Sequence, residues 1–159
     1  MMARRYVCLY NVSSVQRVID FIKTVYSFKD YIPVIIKPIG AAAQIGIPDA
    51  YKIAYKLDKP LIVLPELSDI MDVLDVRKIY LITGKGVEKD LGEIMSSKDD
   101  IAFVINGSDS DFTRQELQYG EPIKLRDISS SIPSIALAAI LLYELSRTGM
   151  VGNEGKCKC

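Results

Sequence analysis

SIPSIALAAILLYEL, residues 131–145, is the stretch whose reading decides the fold. Its apolar residues, from Ile132 through Ile135 to Leu142 and then Leu145, point to every side of a helix, the mark of a helix buried all round. A membrane-spanning helix needs about 20 predominantly apolar residues. Here Ser129 to Ser131 stop the run on one side, and Glu144, Ser146 and Arg147 stop it on the other. The helix is therefore internal. Ser131 is its expected N-cap, with Pro133 in the first turn, and Arg147 followed by Gly149 forms the C-terminal signal. A helix apolar on all sides needs more cover than one sheet face provides, so Leu141 and Leu145 are expected to meet a second copy of the chain.

Outward from this helix, short apolar runs alternate with helical periodicity. The expected strands are Arg4 to Tyr10, Val34 to Ile36, the segment from Leu61, the segment from Lys78, the segment from Ile101, and PIKLRD before the final helix. Between them, Val15, Val18, Ile19, Ile22 and Val25 repeat at helical spacing, and further helices are expected over Ala50 to Leu57, Ser68 to Leu74 and Val87 to Met95. Several strands are continuously apolar, as strands covered on both faces are. The reading is an α/β domain with a mainly parallel sheet and helices on both faces. It occupies residues 1–149 as one unit, with 150–159 as a flexible tail.

Composition bounds the function. The 159 residues are 49% hydrophobic and 25% charged, enough apolar material for one ordinary core. Twenty basic residues balance twenty acidic ones, so no overall field draws the chain to nucleic acid, and any RNA contact must come from a local patch. The absence of histidine excludes histidine-dependent triads and the common zinc sites. The three cysteines, Cys8, Cys157 and Cys159, do not form the evenly spaced framework of a secreted disulfide protein. The segment MMARRYVCLYN fails as a signal peptide, and a cytoplasmic protein is expected.

Read together with the preceding EPIKLRDISS, the last helix resembles the third motif of the SPOUT (SpoU-like, trefoil-knot) RNA methyltransferases. In that motif a short strand and a polar turn lead into a serine-initiated, alanine-rich helix ending in Tyr-Glu, here Tyr143 and Glu144. Where the family carries Ser-Leu-Asn, this chain has Ser131, Ile132 and Pro133. Two other loops are similar to family segments. LITGKG, at Thr83 and Gly84, resembles the stretch whose backbone lines the cofactor pocket. NGSDSDF resembles the second motif, with Gly107 and Ser108 matching and Asp109 in place of glutamate. The resemblance implies a C-terminal trefoil knot, S-adenosylmethionine as cofactor, an RNA substrate such as tRNA or rRNA, and a homodimer. It assigns cofactor binding to Thr83, Gly84, Gly107, Ser108, Asp109, Leu125 and Ser131.

In an open parallel sheet the ligand crevice lies beyond the carboxyl ends of the strands. The loops to weigh are therefore Gly40 to Gly46, Thr83 to Gly86, Asn106 to Thr113 and Ile128 to Ser131. Lys37 follows Val34 to Ile36, where the family's first motif places an arginine, and is the catalytic candidate. A cation there could hold an RNA phosphate or offset charge at a methyl-accepting oxygen; a solvated strand-end lysine is the competing reading. Gln44 is a candidate for substrate contact. Gly84 and Gly86 begin a dinucleotide fingerprint whose third glycine is replaced by Lys89. Aspartates at 109 and 111 are also ordinary turn chemistry. Two rivals stand beside the methyltransferase: a catalytically silent RNA- or nucleotide-binding module of the same fold, and a metal-dependent nuclease using Asp109, Asp111 and Glu66.

Overall fold

A computed structural model describes residues 3–129 and 131–157. Six strands form one sheet: β1 (Arg5–Tyr10), β2 (Ile32–Ile36), β3 (Ile62–Leu64), β4 (Lys78–Glu88), β5 (Ile101–Asn106) and β6 (Glu121–Lys124). Their order is β3-β2-β1-β5-β4-β6, and every pairing is parallel. The helices are α1 (Val15–Tyr26), α2 (Ile47–Leu57), α3 (Asp69–Asp72), α4 (Leu91–Met95), α5 (Arg114–Leu117) and α6 (Ser134–Cys157). The alternation read from the sequence is the architecture.

Strand periodicity sorts the side chains into two cores. From β1, Val7 and Leu9 enter the layer beneath α1, α2, α4 and α6, while Tyr6, Cys8 and Tyr10 enter the layer with Leu67, Ile70 and Phe112. On β5, Ile101, Phe103 and Ile105 join the first layer and Ala102 and Val104 the second. All six residues of β1 are buried, which is why a central strand reads as an unbroken apolar run rather than an alternating one. Arg5 fits there because its guanidinium donates to the carbonyls of Asp99 (2.7 Å), Ser97 (2.7 Å) and Met95 (3.3 Å). Cys8 is a free thiol buried in the sheet, and burial pushes its pKa up, so it serves packing rather than chemistry.

Several boundaries differ from those expected, each for a local reason. The Gly40 to Gly46 segment is not an open loop: Ala42–Gly46 forms a π-helical turn that runs straight into α2. Pro48 cannot donate to the Gln44 carbonyl and its ring crowds that carbonyl; the wider turn accommodates both. The helix expected from Val87 begins at Leu91, where the Asp90 carboxylate caps it by accepting from the Gly92 N–H at 2.8 Å. Val87 and Glu88 instead extend β4 against Ile123 and Lys124.

The last helix begins after Pro133, not at Ser131. The Pro133 carbonyl accepts from the Leu137 N–H at 2.9 Å, and the residue before a proline is steered out of helical conformation, so Ser131 and Ile132 lie in the preceding turn. Residues 150–157, expected as a tail, continue the backbone of α6 as far as Cys157. Ser130 and Cys159 lie outside the described residues.

Leu141 and Leu145, expected at an interface between copies, are fully buried within a single chain. The cover comes from α1, α4 and β5, against which α6 packs. Burying Leu141, Leu142 and Leu145 contributes about 1.5–3 kcal/mol each. The helix is not buried all round, because Ala136 and Tyr143 remain exposed on its outer side. Among the described residues no helix is long and apolar enough to cross a membrane.

Candidate functional site

A cavity of about 440 Å³ opens at the carboxyl edge of the sheet, between a looped-out part of β4, the loops that follow β5 and β6, and the first turns of α1 and α6. Its place follows from topology. The chain runs outward from β1 to β2 and β3, then returns to fill β5, β4 and β6 on the other side, so the connections leaving β1 and β5 diverge and leave a crevice. A volume of this size lies within the range of about 300–1,000 Å³ typical of small-molecule sites.

The wall from β4 is a break in register. Both Ile82 and Val87 align with Ile123 of β6, so Thr83 to Gly86 are looped out of the ladder. Gly86 allows this: a Cβ there would lie 2.6 Å from the Ile123 backbone. The glycine thus serves strand contact, while Gly84 lines the cavity. Thr83 is buried, and its hydroxyl donates to the Asp111 carboxylate (3.0 and 3.2 Å) and accepts from the Lys85 N–H (3.2 Å). Asp111 also accepts from the Phe112 N–H at 2.8 Å and faces Lys85 Nζ at 4.0 Å. The aspartate therefore fastens the loop after β5 to the looped-out part of β4.

Within the loop after β5, the Asn106 side-chain oxygen accepts from the Ser108 N–H (2.9 Å) and hydroxyl (2.8 Å). Gly107 donates its N–H to the Tyr10 carbonyl at 2.6 Å, and a Cβ on it would stand 2.9 Å from that oxygen and 3.0 Å from the Val12 Cβ. The close approach that needs glycine is thus to the end of β1, behind the cavity wall, rather than to a ligand in front of it.

Arg17 is the functional candidate that sequence reasoning missed. It stands in the first turn of α1, which Ser14 caps by accepting from the Arg17 N–H at 3.1 Å. Its guanidinium donates to the Gly107 carbonyl at 2.6 Å and lies 3.6 Å from the Asp109 carboxylate. The only sequence signal was that the turn from β1 into α1 follows a strand end, as the other loops do.

Lys124 supplies a second cation, and Asp109 and Asp111 are the carboxylates of the wall. On the α6 side, Ser129 and Ser131 pair their hydroxyls at 3.0 Å, and Ser134 Oγ is buried with no hydrogen-bond partner. Ser134 lines the cavity, and a buried hydroxyl without a partner keeps its full donor and acceptor capacity.

Of the residues singled out from sequence, Thr83, Gly84, Ser108, Asp109, Leu125 and Ser131 line this one cavity, with Gly107 directly behind it. Lys37 and Gln44 do not line it. Lys37 closes β2 at φ 52°, with its N–H donating to the Leu64 carbonyl at 2.8 Å. Gln44 is exposed on the π-helical turn. The carboxylates of the nuclease reading do not gather: Glu66 lies off the cavity. Among the described residues no three or more Asp, Glu, Cys or His side chains are grouped to hold a metal ion.

Comparison with known proteins gives two different neighbourhoods. The sequence model of a family described as RecB-family nuclease (DUF2122) matches residues 40–144. A protein of Aeropyrum pernix named as a candidate type II restriction enzyme is 34% identical over 147 residues, covering 91% of this chain and 94% of its own. A similarly named protein of Methanocaldococcus jannaschii is 32% identical over 146 residues, covering 92% and 99%. Solved structures show the same fold at low identity. A methylase family protein of Haemophilus influenzae superposes with TM-score 0.74 at 15% identity, over 98% of this chain and 70% of its own. The SpoU methyltransferase AviRb of Streptomyces viridochromogenes superposes with TM-score 0.72 at 11% identity, over 96% and 62%.

Proposed function

The chain belongs to the family described as RecB-family nuclease (DUF2122), and from that premise we propose that its cavity serves S-adenosylmethionine-dependent methyl transfer to RNA rather than strand cleavage. The observation that carries this reading is convergence. Three loops that are remote in sequence bring Thr83, Gly84, Ser108, Asp109, Leu125 and Ser131 to one wall, beside an unpartnered Ser134 hydroxyl. The fold shared with the methylase family protein and the SpoU methyltransferase supports it at the level of architecture.

The residues present fit the cofactor. The cavity combines apolar surface from Ile82, Leu125, Ile128 and Leu137 with hydroxyls, exposed backbone at Gly84 and charges of both signs. A molecule carrying an aromatic base, a ribose and a zwitterionic amino acid needs that mixture. When bound, S-adenosylmethionine supplies an electrophilic methyl group. Thr83, Ser108, Ser131 and Ser134 hold and orient; the apolar residues exclude water. Arg17 takes the role first expected of Lys37. Its fork is fixed on one side by the Gly107 carbonyl, and the other side, which faces the exposed Asp109 carboxylate, would turn to an incoming phosphate or an oxygen gaining negative charge. The C-terminal trefoil knot belongs to the same proposal, as does a homodimer formed through the outer side of α6 at Ala136 and Tyr143.

The family description and the restriction-enzyme names of the two relatives favour a second reading, metal-dependent cleavage of nucleic acid. That chemistry requires carboxylates that converge on a cation, and here Asp111 is engaged by Thr83, Phe112 and Lys85 while Asp109 faces Arg17. Transfer of radiolabelled methyl groups from S-adenosylmethionine to bulk tRNA and rRNA, run beside magnesium-dependent cleavage of DNA and RNA, separates the two. The proposal expects label in RNA and intact strands. Cleavage without methyl transfer would reverse it.

A further inference from the structure

The face of α2 carries a repeat that the cavity does not use: Tyr51-Lys52 and Tyr55-Lys56, four residues apart in the segment YKIAYKLDK. Four-residue spacing stacks like residues on one side of a helix, giving a row of two tyrosines beside a row of two lysines. All four are exposed, Tyr55 at 88% of its surface and Tyr51 at 46%. The tyrosines, Leu61, Pro48 and Lys59 line an open, mostly apolar recess of about 540 Å³. Lys59 is held in place, with its ammonium donating to the Tyr26 carbonyl at 2.9 Å and lying 5.3 Å from the centre of the Tyr26 ring. Lys52 pairs with Asp49 at 3.8 Å, whereas Lys56 and Lys37 have no ion-pair partner among the described residues. Lys37 follows β2 directly, whereas α2 starts at Ile47 and runs back across the sheet to the segment that leads into β3.

Exposed tyrosines with interleaved cations are the chemistry that holds unpaired bases and their phosphates, since any base can stack on a phenol ring and each lysine can meet a phosphate. We propose that the Tyr51, Tyr55, Lys52 and Lys56 face of α2 is a docking surface for single-stranded RNA, gripping the strand apart from the cavity. Charge favours this occupant. Over residues 49–59, Lys52, Lys56 and Lys59 outnumber Asp49 and Asp58, on a chain with no net charge of its own. The inference rests on the proposed function only in taking RNA as the substrate class; the residues that carry it are outside the cavity.

The test is fluorescence anisotropy of the full chain with labelled oligouridine and oligodeoxythymidine of about 16 nucleotides, the upper end of single-strand site sizes. Expected are tighter binding of the RNA, a loss of about tenfold in affinity for each of Tyr51→Ala and Tyr55→Ala, and a salt dependence shallower by about 1.4 log units per log unit of salt in Lys52→Gln/Lys56→Gln. Calorimetry with S-adenosylmethionine on the same variants should be unchanged. RNA affinity that ignores all four substitutions overturns the inference, as does preference for DNA. A wild-type dimer that the tyrosine variants split into monomers also overturns it, assigning the face to a second copy. Wild type that binds S-adenosylmethionine but no RNA sinks this inference and leaves the cavity's assignment standing. RNA binding through these tyrosines without cofactor binding does the reverse.

Discussion

The Arg17 guanidinium donates to the Gly107 carbonyl at 2.6 Å, joining the first turn of α1 to the loop after β5, two segments separated by 90 residues. This bond fixes a cation at the mouth of the cavity. The other terminal nitrogen of Arg17 faces the solvent-exposed Asp109 carboxylate at 3.6 Å, a partner that an incoming anion can displace. Arg17→Ala should therefore lower methyl transfer by on the order of 10² to 10³, the usual loss for one preorganised electrostatic contact. Affinity for S-adenosylmethionine should fall much less, because the contact is made chiefly with the acceptor. Lys37→Ala should leave turnover on saturating RNA intact. Single-turnover rates paired with calorimetry check both.

Gly107 packs against the end of β1, so adding bulk there acts on the fold. Gly107→Val places a branched side chain against the Tyr10 carbonyl and Val12 and should destabilise the domain by about 1–3 kcal/mol, the usual cost of overpacking. Gly86→Val meets the Ile123 backbone at 2.6 Å and should behave alike. Denaturant midpoints at unchanged slope would verify this; a native-like midpoint with lost cofactor affinity would instead place Gly107 in ligand contact.

Leu145 is buried within one chain, so Leu145→Asp should unfold the protein rather than dissociate an assembly, because an unpaired buried charge has no compensating partner. Circular dichroism and light scattering distinguish the outcomes. A folded monomeric variant from a dimeric wild type would return Leu145 to an interface.

Burial raises the Cys8 pKa above that of an exposed thiol. The neutral form dominates through neutral and mildly alkaline pH, and reaction requires both thiolate and access. In a Cys157→Ser/Cys159→Ser background the remaining thiol should ignore a disulfide reagent in native buffer and react fully in denaturant. Stability from keeping this thiol neutral is lost only as alkaline pH begins to ionise it in the unfolded chain.

The layered parallel fold was legible because its central strands are buried on both faces and so read as plain apolar runs, as in VCLY of β1 and IAFVI of β5. Six of the residues singled out share one cavity because parallel strands deliver their carboxyl-end loops to the same edge of the sheet. What stayed hidden depended on contacts remote in sequence. Nothing local shows that Gly107 faces Tyr10, that Gly86 faces Ile123, or that Arg17 reaches across 90 residues to a carbonyl. The cover of Leu141 and Leu145 was likewise invisible, since composition indicates that a helix needs covering but not which elements cover it. Lys37 was chosen because it ends a strand. The strand that mattered was β1, next to β5, and the β1–β5 adjacency is a property of the sheet order.

The central claim is that the cavity between the looped-out part of β4 and the loops after β5 and β6 is a cofactor site. The most direct measurement is isothermal calorimetry of the wild-type chain with S-adenosylmethionine and its demethylated product, repeated on Ser134→Val. The account predicts saturable binding of one ligand per chain, weakened in Ser134→Val because the orphaned hydroxyl is then gone while the helix keeps its apolar packing. A folded wild-type chain that binds neither molecule at millimolar concentration would contradict it.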